Sequence, residues 1–171
     1  MNRIRLAQEP IILIWFGTCE LSVKNGKFSK IIDYPYQEVE QILTRYRVVK
    51  QSILAANPSV KITFIECPYI SILRWNKFQG FQINTESKKK NTIKDTKLNT
   101  VIKYYNQRLD YINTGSHIPK ISQDQIICSK KKRLRRTKIK FKDNLLHDGI
   151  DPKRSLLRLW MQRIVKYSRT L

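Results

Sequence analysis

The sequence predicts an α/β fold built around a parallel β-sheet, and three neighbouring segments carry this prediction. The run IILIWFG, residues 11–17, is continuously apolar and ends in glycine, which is typical of a strand covered on both faces. Apolar residues recur at helical spacing over residues 36–56, and VKITFIECP, residues 60–68, alternates like a second strand. A strand, a long helix and a second strand form the crossover unit that joins parallel strands.

The composition indicates one folded domain with a strong attraction for polyanions. A chain of 171 residues, 41% of them hydrophobic, is long enough to bury a core. Its formal charge is +21. Residues 1–85 carry 11 Lys/Arg against 6 Asp/Glu, a net of +5, and residues 86–171 carry 23 against 7, a net of +16. Such a field favours nucleic acid first and an anionic membrane second.

Cysteine and histidine usage argues against a disulfide framework and against a metal site. The cysteines Cys19, Cys67 and Cys128 are widely spaced, so we expect free thiols in a reducing compartment and an intracellular location, nuclear or cytoplasmic. His117 and His147 are the remaining soft ligands, so neither zinc nor another cofactor is predicted. We expect no membrane span, and the basic and apolar start lacks the cleavage site of a signal peptide.

Turn and cap signals bound the first helix. An Asn25-Gly26 turn interrupts the polar connection that follows the first strand. Asp33 is a candidate cap for the helix or for the turn before it, and Asn57-Pro58 is expected to end the helix.

The second half of the sequence predicts another helix, a candidate third strand and a last helix. Residues 69–81 are expected to be irregular, and residues 85–97 to form a polar, basic loop. A helix is expected over residues 98–112, and residues 117–128 contain a candidate third strand that Pro119 weakens. A last helix is expected over residues 153–167. Its inward residues are expected to be Leu156, Leu159, Trp160, Ile164 and Tyr167.

Two polar motifs flank this α/β pattern. GTCE, residues 17–20, follows the first strand, and LHDGIDP, residues 146–152, directly precedes the last helix. They resemble the Gly-x-Asn-Asp turn and the closing Asp-Gly-x-His-Pro block of the SGNH (GDSL-like) hydrolases. The likeness covers most of the chain from Ile11 onward. It is particularly close to SGNH-like domains in open reading frames of invertebrate genomes, some of them linked to mobile elements.

The resemblance implies a three-layer α/β/α sandwich with a parallel sheet and a site at the carboxyl ends of the strands. It divides the chain into an N-terminal extension, residues 1–10, and an SGNH hydrolase-like domain, residues 11–171, with basic insertions at 86–97 and 129–142. The family carries its Ser nucleophile on an earlier strand, but MNRIRLAQEP contains neither Ser nor Gly. The first strand or strands of the fold are therefore expected to be missing.

Residue by residue, the resemblance implies a degenerate esterase site. Gly17 matches the glycine of the oxyanion turn, but Cys19 stands at the oxyanion Asn position, and a thiol is a weaker donor than an amide. Asp148 matches the catalytic Asp, and Asp151 stands where the base His is expected. An Asp has a reference pKa of about 3.9, too low to shuttle a proton near neutral pH. We expect an esterase-like domain that is inactive here, or active only in a longer product that restores the Ser strand.

Other interpretations of the same residues stay open. Cys19, His147 and Asp148 are a candidate substitute Cys/His/Asp set, although adjacent residues rarely orient one another as base and orienter. Glu20 with Asp148 and Asp151 is a candidate metal site. The chemistry of the residues favours a structural role in which Asp151, followed by proline, caps the last helix.

The densest basic segment predicts a second class of function. SKKKRLRRTKIKFK, residues 129–142, matches a polybasic nucleic-acid patch and a nuclear-import pattern, although a charge run is usually a solvated loop. No zinc finger, aromatic ribonucleoprotein motif or helix-turn-helix signature accompanies it, so sequence-specific readout is not indicated. The candidate nucleic-acid-binding residues are Lys130, Lys131, Lys132, Arg133, Arg135, Arg136, Lys138 and Lys140.

The missing first strand also predicts a bare sheet edge. The strand over residues 11–17 is interior in the family fold, with the nucleophile strand as a neighbour. Without that neighbour its backbone N–H and C=O groups are unpaired on one side, which favours self-association through this edge.

Overall fold

A computed structural model describes residues 10–15, 19–82, 84–113, 119–130 and 137–169 of the chain. Within them the strands are β1 (Ile11–Ile14), β2 (Ser22–Asn25), β3 (Phe28–Ile31), β4 (Lys61–Phe64), β5 (Ile126–Lys130) and β6 (Thr137–Phe141). The helices are α1 (Pro35–Ala56), α2 (Ile72–Phe78), α3 (Thr85–Ile112) and α4 (Arg154–Ser168). The fold is mixed α/β, and no helix among these residues is long and apolar enough to cross a membrane.

The parallel pair expected from the sequence consists of β1 and β4. Ile11 lies opposite Lys61 and Ile14 opposite Phe64, and the next residue, Ile65, donates its N–H to the Ile14 carbonyl at 2.8 Å. The prediction of two parallel strands with a long helix between them in the chain is confirmed. In the described residues the parallel sheet contains these two strands alone. Because Ile11 is 37% exposed, the expectation that both faces of β1 are fully covered is wrong.

A β-hairpin occupies the connection that follows β1. β2 and β3 pair antiparallel around the predicted Asn25-Gly26 turn, where Gly26 has a φ of +61°. Asn76 of α2 holds this hairpin, because its side chain accepts from the Ser29 N–H at 2.7 Å and donates to the Ser29 carbonyl at 2.9 Å. Three of the four residues of β2 are exposed, so the apolar alternation that signals a strand is weak.

Helix α1 forms where its periodicity predicts it. It begins at Pro35, whose fixed φ suits the first helical turn, and the preceding Tyr34 provides no side-chain cap. Asp33 therefore does not cap the helix. Asn57 ends it as expected, with its N–H donating to the Ile53 carbonyl at 2.9 Å. The buried residues of α1 are Pro35, Val39, Ile42, Leu43 and Tyr46.

Two segments expected to be irregular are helical. Residues 69–81 contain α2, and α3 begins at Thr85, so the basic insertion expected at 86–97 is the first part of a 28-residue helix. The apolar repeat covers residues 98–112. The helix continues N-terminally beyond it through a segment rich in lysine, which is a good helix former. The assignment of 86–97 to a loop is therefore wrong.

Buried amide side chains satisfy the backbone of the segment that follows β4, where residues 62–72 are buried throughout. Asn106 of α3, Asn113 directly after α3, and Gln125 before β5 each accept from one backbone N–H and donate to the carbonyl of the same residue. The six distances are 2.8–2.9 Å, and the paired residues are Phe64, Cys67 and Tyr69. Asn99 accepts from the Ile70 N–H at 3.2 Å. The amides stand where the polar groups of a neighbouring strand would be, so α3 closes this side of the segment.

A buried carboxylate joins the same segment to residues 121–125, which form a 3₁₀ helix. Glu66 Oε2 accepts from the N–H and the hydroxyl of Ser122 at 3.1 and 2.8 Å, and Lys120 Nζ lies 3.5 Å from Oε1. Burial raises the pKa of Glu66, and the Ser122 and Lys120 partners oppose that shift. Glu66 is thus an interior carboxylate with partners, and its role is to anchor the chain.

The candidate third strand exists, but it is not part of the parallel sheet. β5 pairs antiparallel with β6, with Ile126 opposite Phe141 and Lys130 opposite Thr137. Within the basic segment 129–142, residues 129–130 belong to β5 and residues 137–141 to β6, and residues 131–136 lie outside the described residues.

Helix α4 packs inward through its apolar residues. The ring of Trp160 in α4 meets the ring of Trp15, which follows β1, edge-on with centroids 5.8 Å apart. Leu159 is exposed, so its expected inward position is wrong, because it lies outside the apolar stripe that the other four residues form. The buried residues of α4 are Leu156, Trp160, Ile164 and Tyr167.

Candidate functional site

Asp148, the residue matched to a catalytic Asp, is turned toward its own backbone. It is 5% exposed, and its Oδ1 accepts hydrogen bonds from the N–H groups of Ile150 at 2.9 Å and Asp151 at 2.8 Å. A carboxylate that accepts from the amides two and three residues ahead stabilises a tight turn. Its observed partners are therefore those of a structural residue.

The turn is also closed by the main chain on either side of it. The His147 N–H donates to the Asp151 carbonyl at 2.7 Å, and Lys153 N–H donates to the Leu145 carbonyl at 2.9 Å. Between these bonds, Leu146 forms an antiparallel bridge with Pro152. We call residues 146–152 the closing turn.

The closing turn docks on the start of α2 through Gly149. The Ser71 N–H donates to the Gly149 carbonyl at 2.8 Å, and Arg74 Nε donates to the His147 carbonyl at 3.3 Å. Gly149 has a φ of +112°, and a Cβ there would overlap the Ser71 carbonyl oxygen and lie 2.6 Å from the Trp75 nitrogen. Only glycine fits both the backbone conformation and the approach.

Ser71 organises the surface on which the turn docks. Its hydroxyl accepts from the Arg74 N–H at 3.1 Å and is hydrogen-bonded to Asp95 Oδ2 of α3. Asp95 Oδ1 accepts from the Leu73 N–H at 3.1 Å. Ser71 and Asp95 were not singled out by the sequence, since an isolated Ser and an isolated Asp carry no spacing signal.

Asp151 does not cap α4, so the structural role favoured for it is wrong. The helix begins at Arg154, its N-cap residue is Lys153, and no side-chain cap is present. The closing turn continues through Pro152, which places Asp151 three residues before the helix and beyond the position of a cap. Its side chain is exposed.

The corner matched to the oxyanion turn is described only in part. Gly17 lies outside the described residues, and Cys19 is exposed, with its carbonyl accepting from the Ser22 N–H at 3.4 Å. Nearby in the core, the Tyr105 hydroxyl donates to the Tyr46 hydroxyl at 2.9 Å. Burial raises the pKa of Tyr46 to about 12, and the charge of Glu20 adds to that shift. These buried phenols are therefore neutral at physiological pH.

The two alternative constellations find no support in the described residues. No hydrogen bond there joins Cys19, His147 and Asp148 to one another, and the exposed His147 ring instead meets Phe78 edge-on, with centroids 5.4 Å apart. The described residues also contain no group of three His, Cys, Asp or Glu side chains that could hold a metal ion. Cys67 is a buried thiol.

The basic segment belongs to the β5–β6 hairpin. Lys130 ends β5, and Lys138 and Lys140 belong to β6. The remaining predicted contacts lie in residues 131–136, outside the described residues; they are Lys131, Lys132, Arg133, Arg135 and Arg136. The structure therefore presents the two ends of the basic segment on an antiparallel ribbon.

Comparison of the chain with protein-family models, curated proteins and solved structures finds no match.

Proposed function

We propose that this chain is an SGNH hydrolase-like domain, a three-layer sandwich without its first strand or strands, in which the esterase site is inactive. One observation carries the proposal: the Asp148 carboxylate accepts from the amides of its own turn, while the exposed Asp151 stands at the position of the base. In a working Ser-His-Asp site the carboxylate instead accepts from an imidazole, which it orients.

The chemistry of the substituted positions supports the same conclusion. The carboxylate of Asp151 is a much weaker base than an imidazole, so it is a poor general base for a serine hydroxyl. Cys19 replaces an amide donor by a weak thiol donor, which lowers the stabilisation of a tetrahedral oxyanion. The proposed role of the closing turn is to brace α2 and α4.

We expect no catalytic turnover of p-nitrophenyl acetate by the full chain at pH 8. The release of p-nitrophenol should match that of the heat-denatured chain once stoichiometric acylation of accessible thiols, including the exposed Cys19, is complete. Cys19→Ser serves as the control, because it removes the reaction at Cys19 and leaves the slow background. Saturable turnover that persists in Cys19→Ser and disappears in Asp148→Asn would contradict the proposal.

A second candidate function is sequence-independent binding of nucleic acid. The observation that favours it is the β5–β6 ribbon at the base of the basic segment, in a chain of formal charge +21. A two-stranded ribbon fits the major groove of a duplex, and its lysines can neutralise phosphates. The nuclear-import pattern of the same segment makes nuclear localisation a prediction of this candidate.

Binding to a 20-bp duplex is expected to be strongly dependent on salt. If six to ten phosphates are contacted, the affinity should fall by about 10³ to 10⁵ between 50 and 200 mM salt, measured by fluorescence anisotropy. The double variant Lys138→Glu and Lys140→Glu should reduce both the affinity and the salt slope. The matched control reverses two exposed lysines of the other hairpin, Lys24→Glu and Lys30→Glu. Absence of binding at 50 mM salt would exclude this function. Equal losses of affinity in both double variants would exclude the β5–β6 ribbon as the binding site.

A further inference from the structure

The outer side of α4 carries a second apolar row that the fold does not use. Leu157, Met161 and Val165 are 40%, 47% and 42% exposed and follow one another at intervals of four residues. Such spacing aligns them in one stripe roughly 12 Å long on the helix surface. The buried residues of α4 are Leu156, Trp160, Ile164 and Tyr167, so this stripe is not needed to hold the helix in place.

The stripe is bordered by cations that form no ion pair with another described residue. No acidic residue occurs after Asp151, and α4 and its end carry Arg154, Arg158, Lys166 and Arg169, all exposed. Among the described residues, the ion pair formed by this helix is that of Arg163 with Asp124 at 2.7 Å. The cations beside the stripe are therefore available to an acidic ligand.

Met161 and Val165 of the stripe and three of these cations line a shallow surface groove of about 520 Å³. The groove is lined by Arg158, Met161, Gln162, Val165, Lys166 and Arg169. Its floor is apolar and its rim is basic. A surface of this kind matches a ligand with one apolar face flanked by acidic groups.

We propose that this groove, the α4 groove, docks an acidic amphipathic helix of a partner protein. A partner helix presents apolar residues at intervals of three and four, which matches the two-turn length of the stripe, and its Asp or Glu side chains pair with the basic rim. A second copy of this chain is a poor occupant, because it brings the same cations and a net charge of +21. Nucleic acid has charge but no apolar face for the stripe.

The binding experiment uses the full chain and two labelled 18-residue peptides in 150 mM salt. One peptide places leucines on a single helical face and glutamates elsewhere, and the other has the same composition with the leucines scattered. We expect fluorescence anisotropy to show at least tenfold tighter binding of the amphipathic peptide. Since both peptides carry the same charge, equal affinities would show attraction by net charge alone and would overturn the proposal.

Two variants locate the binding site. Met161→Asp should weaken binding of the amphipathic peptide at least tenfold, whereas Val48→Asp, the same change type at an exposed site of α1, should leave it within twofold. Both residues are exposed, so the circular dichroism spectrum should be unchanged in each variant. Retained affinity in Met161→Asp would overturn the proposal.

A charge exchange and a vesicle assay complete the test. Arg158→Glu should weaken binding of the acidic peptide. The same variant should strengthen binding of a peptide that has lysine in place of glutamate. Phosphatidylserine vesicles test the membrane alternative for a basic amphipathic helix. Vesicle binding that Met161→Asp abolishes, together with peptide affinities that this variant leaves unchanged, would assign the groove to a membrane and overturn the proposal of a protein partner.

Discussion

Replacing Asn106 by leucine is expected to lower the free energy of unfolding by about 4 kcal/mol, the largest effect predicted for a single side chain here. Asn106 accepts from the Cys67 N–H and donates to the Cys67 carbonyl, both at 2.8 Å, in a segment that water does not reach. Leucine has a similar size but offers neither a donor nor an acceptor. The variant therefore leaves two buried backbone groups without partners, at a cost of about 1–3 kcal/mol each.

Urea denaturation followed by circular dichroism measures this loss. The matched control is Gln107→Leu, the same type of substitution at the next residue of α3, where the side chain is exposed. The control should stay within about 0.5 kcal/mol of the unchanged chain. A loss below 1 kcal/mol in Asn106→Leu would show that the amide pairing does not hold the segment after β4.

The second large effect is expected for Gly149→Ala, which should lower the free energy of unfolding by about 3 kcal/mol. The positive φ of +112° strains any L-residue, and the added Cβ would overlap the Ser71 carbonyl oxygen. Relief of that overlap requires the closing turn to move away from α2, which stretches the hydrogen bond from Ser71 to Gly149.

Gly26→Ala separates the two causes of this cost. Gly26 also has a positive φ, +61°, but a Cβ there has nothing within 4 Å. We expect a cost of about 1 kcal/mol in this variant, from backbone conformation alone. If the two alanine variants lose equal stability by thermal and urea denaturation, the close approach of the closing turn to α2 does not contribute.

The elements predicted correctly are those whose signal lies in consecutive residues. Strands β1 and β4 follow from apolar runs, α1 from a repeat at helical spacing, and α4 from a strong apolar stripe. The failures fall where neighbours decide the structure. Helix α2 is seven residues long and β2 is mostly exposed, so neither has a strong local signal. Asn76 of α2 instead binds Ser29 of β3 and joins the helix to the β2–β3 hairpin.

The candidate site shows the same division. The resemblance read from the sequence singled out Asp148 and Asp151, and it predicted a carboxylate at the position of the base His. It misassigned Asp151 as a helix cap, because Asp followed by proline is a common local pattern at helix starts. The actual start at Arg154 depends on the closing turn, which is held by Ser71 and Arg74 from a distant part of the chain.

By itself, the sequence determined the mixed α/β character, the positions of α1 and α4 and the concentration of positive charge in the second half. These are consequences of residue type and of periodicity along the chain, which need no partner from elsewhere. Only the tertiary structure decided that Asp148 serves its own turn, that amides of α3 replace a neighbouring strand, and that α4 has a surplus apolar stripe. Hydrogen-bond partners and burial are properties of residues brought together from distant positions, so local pattern does not specify them.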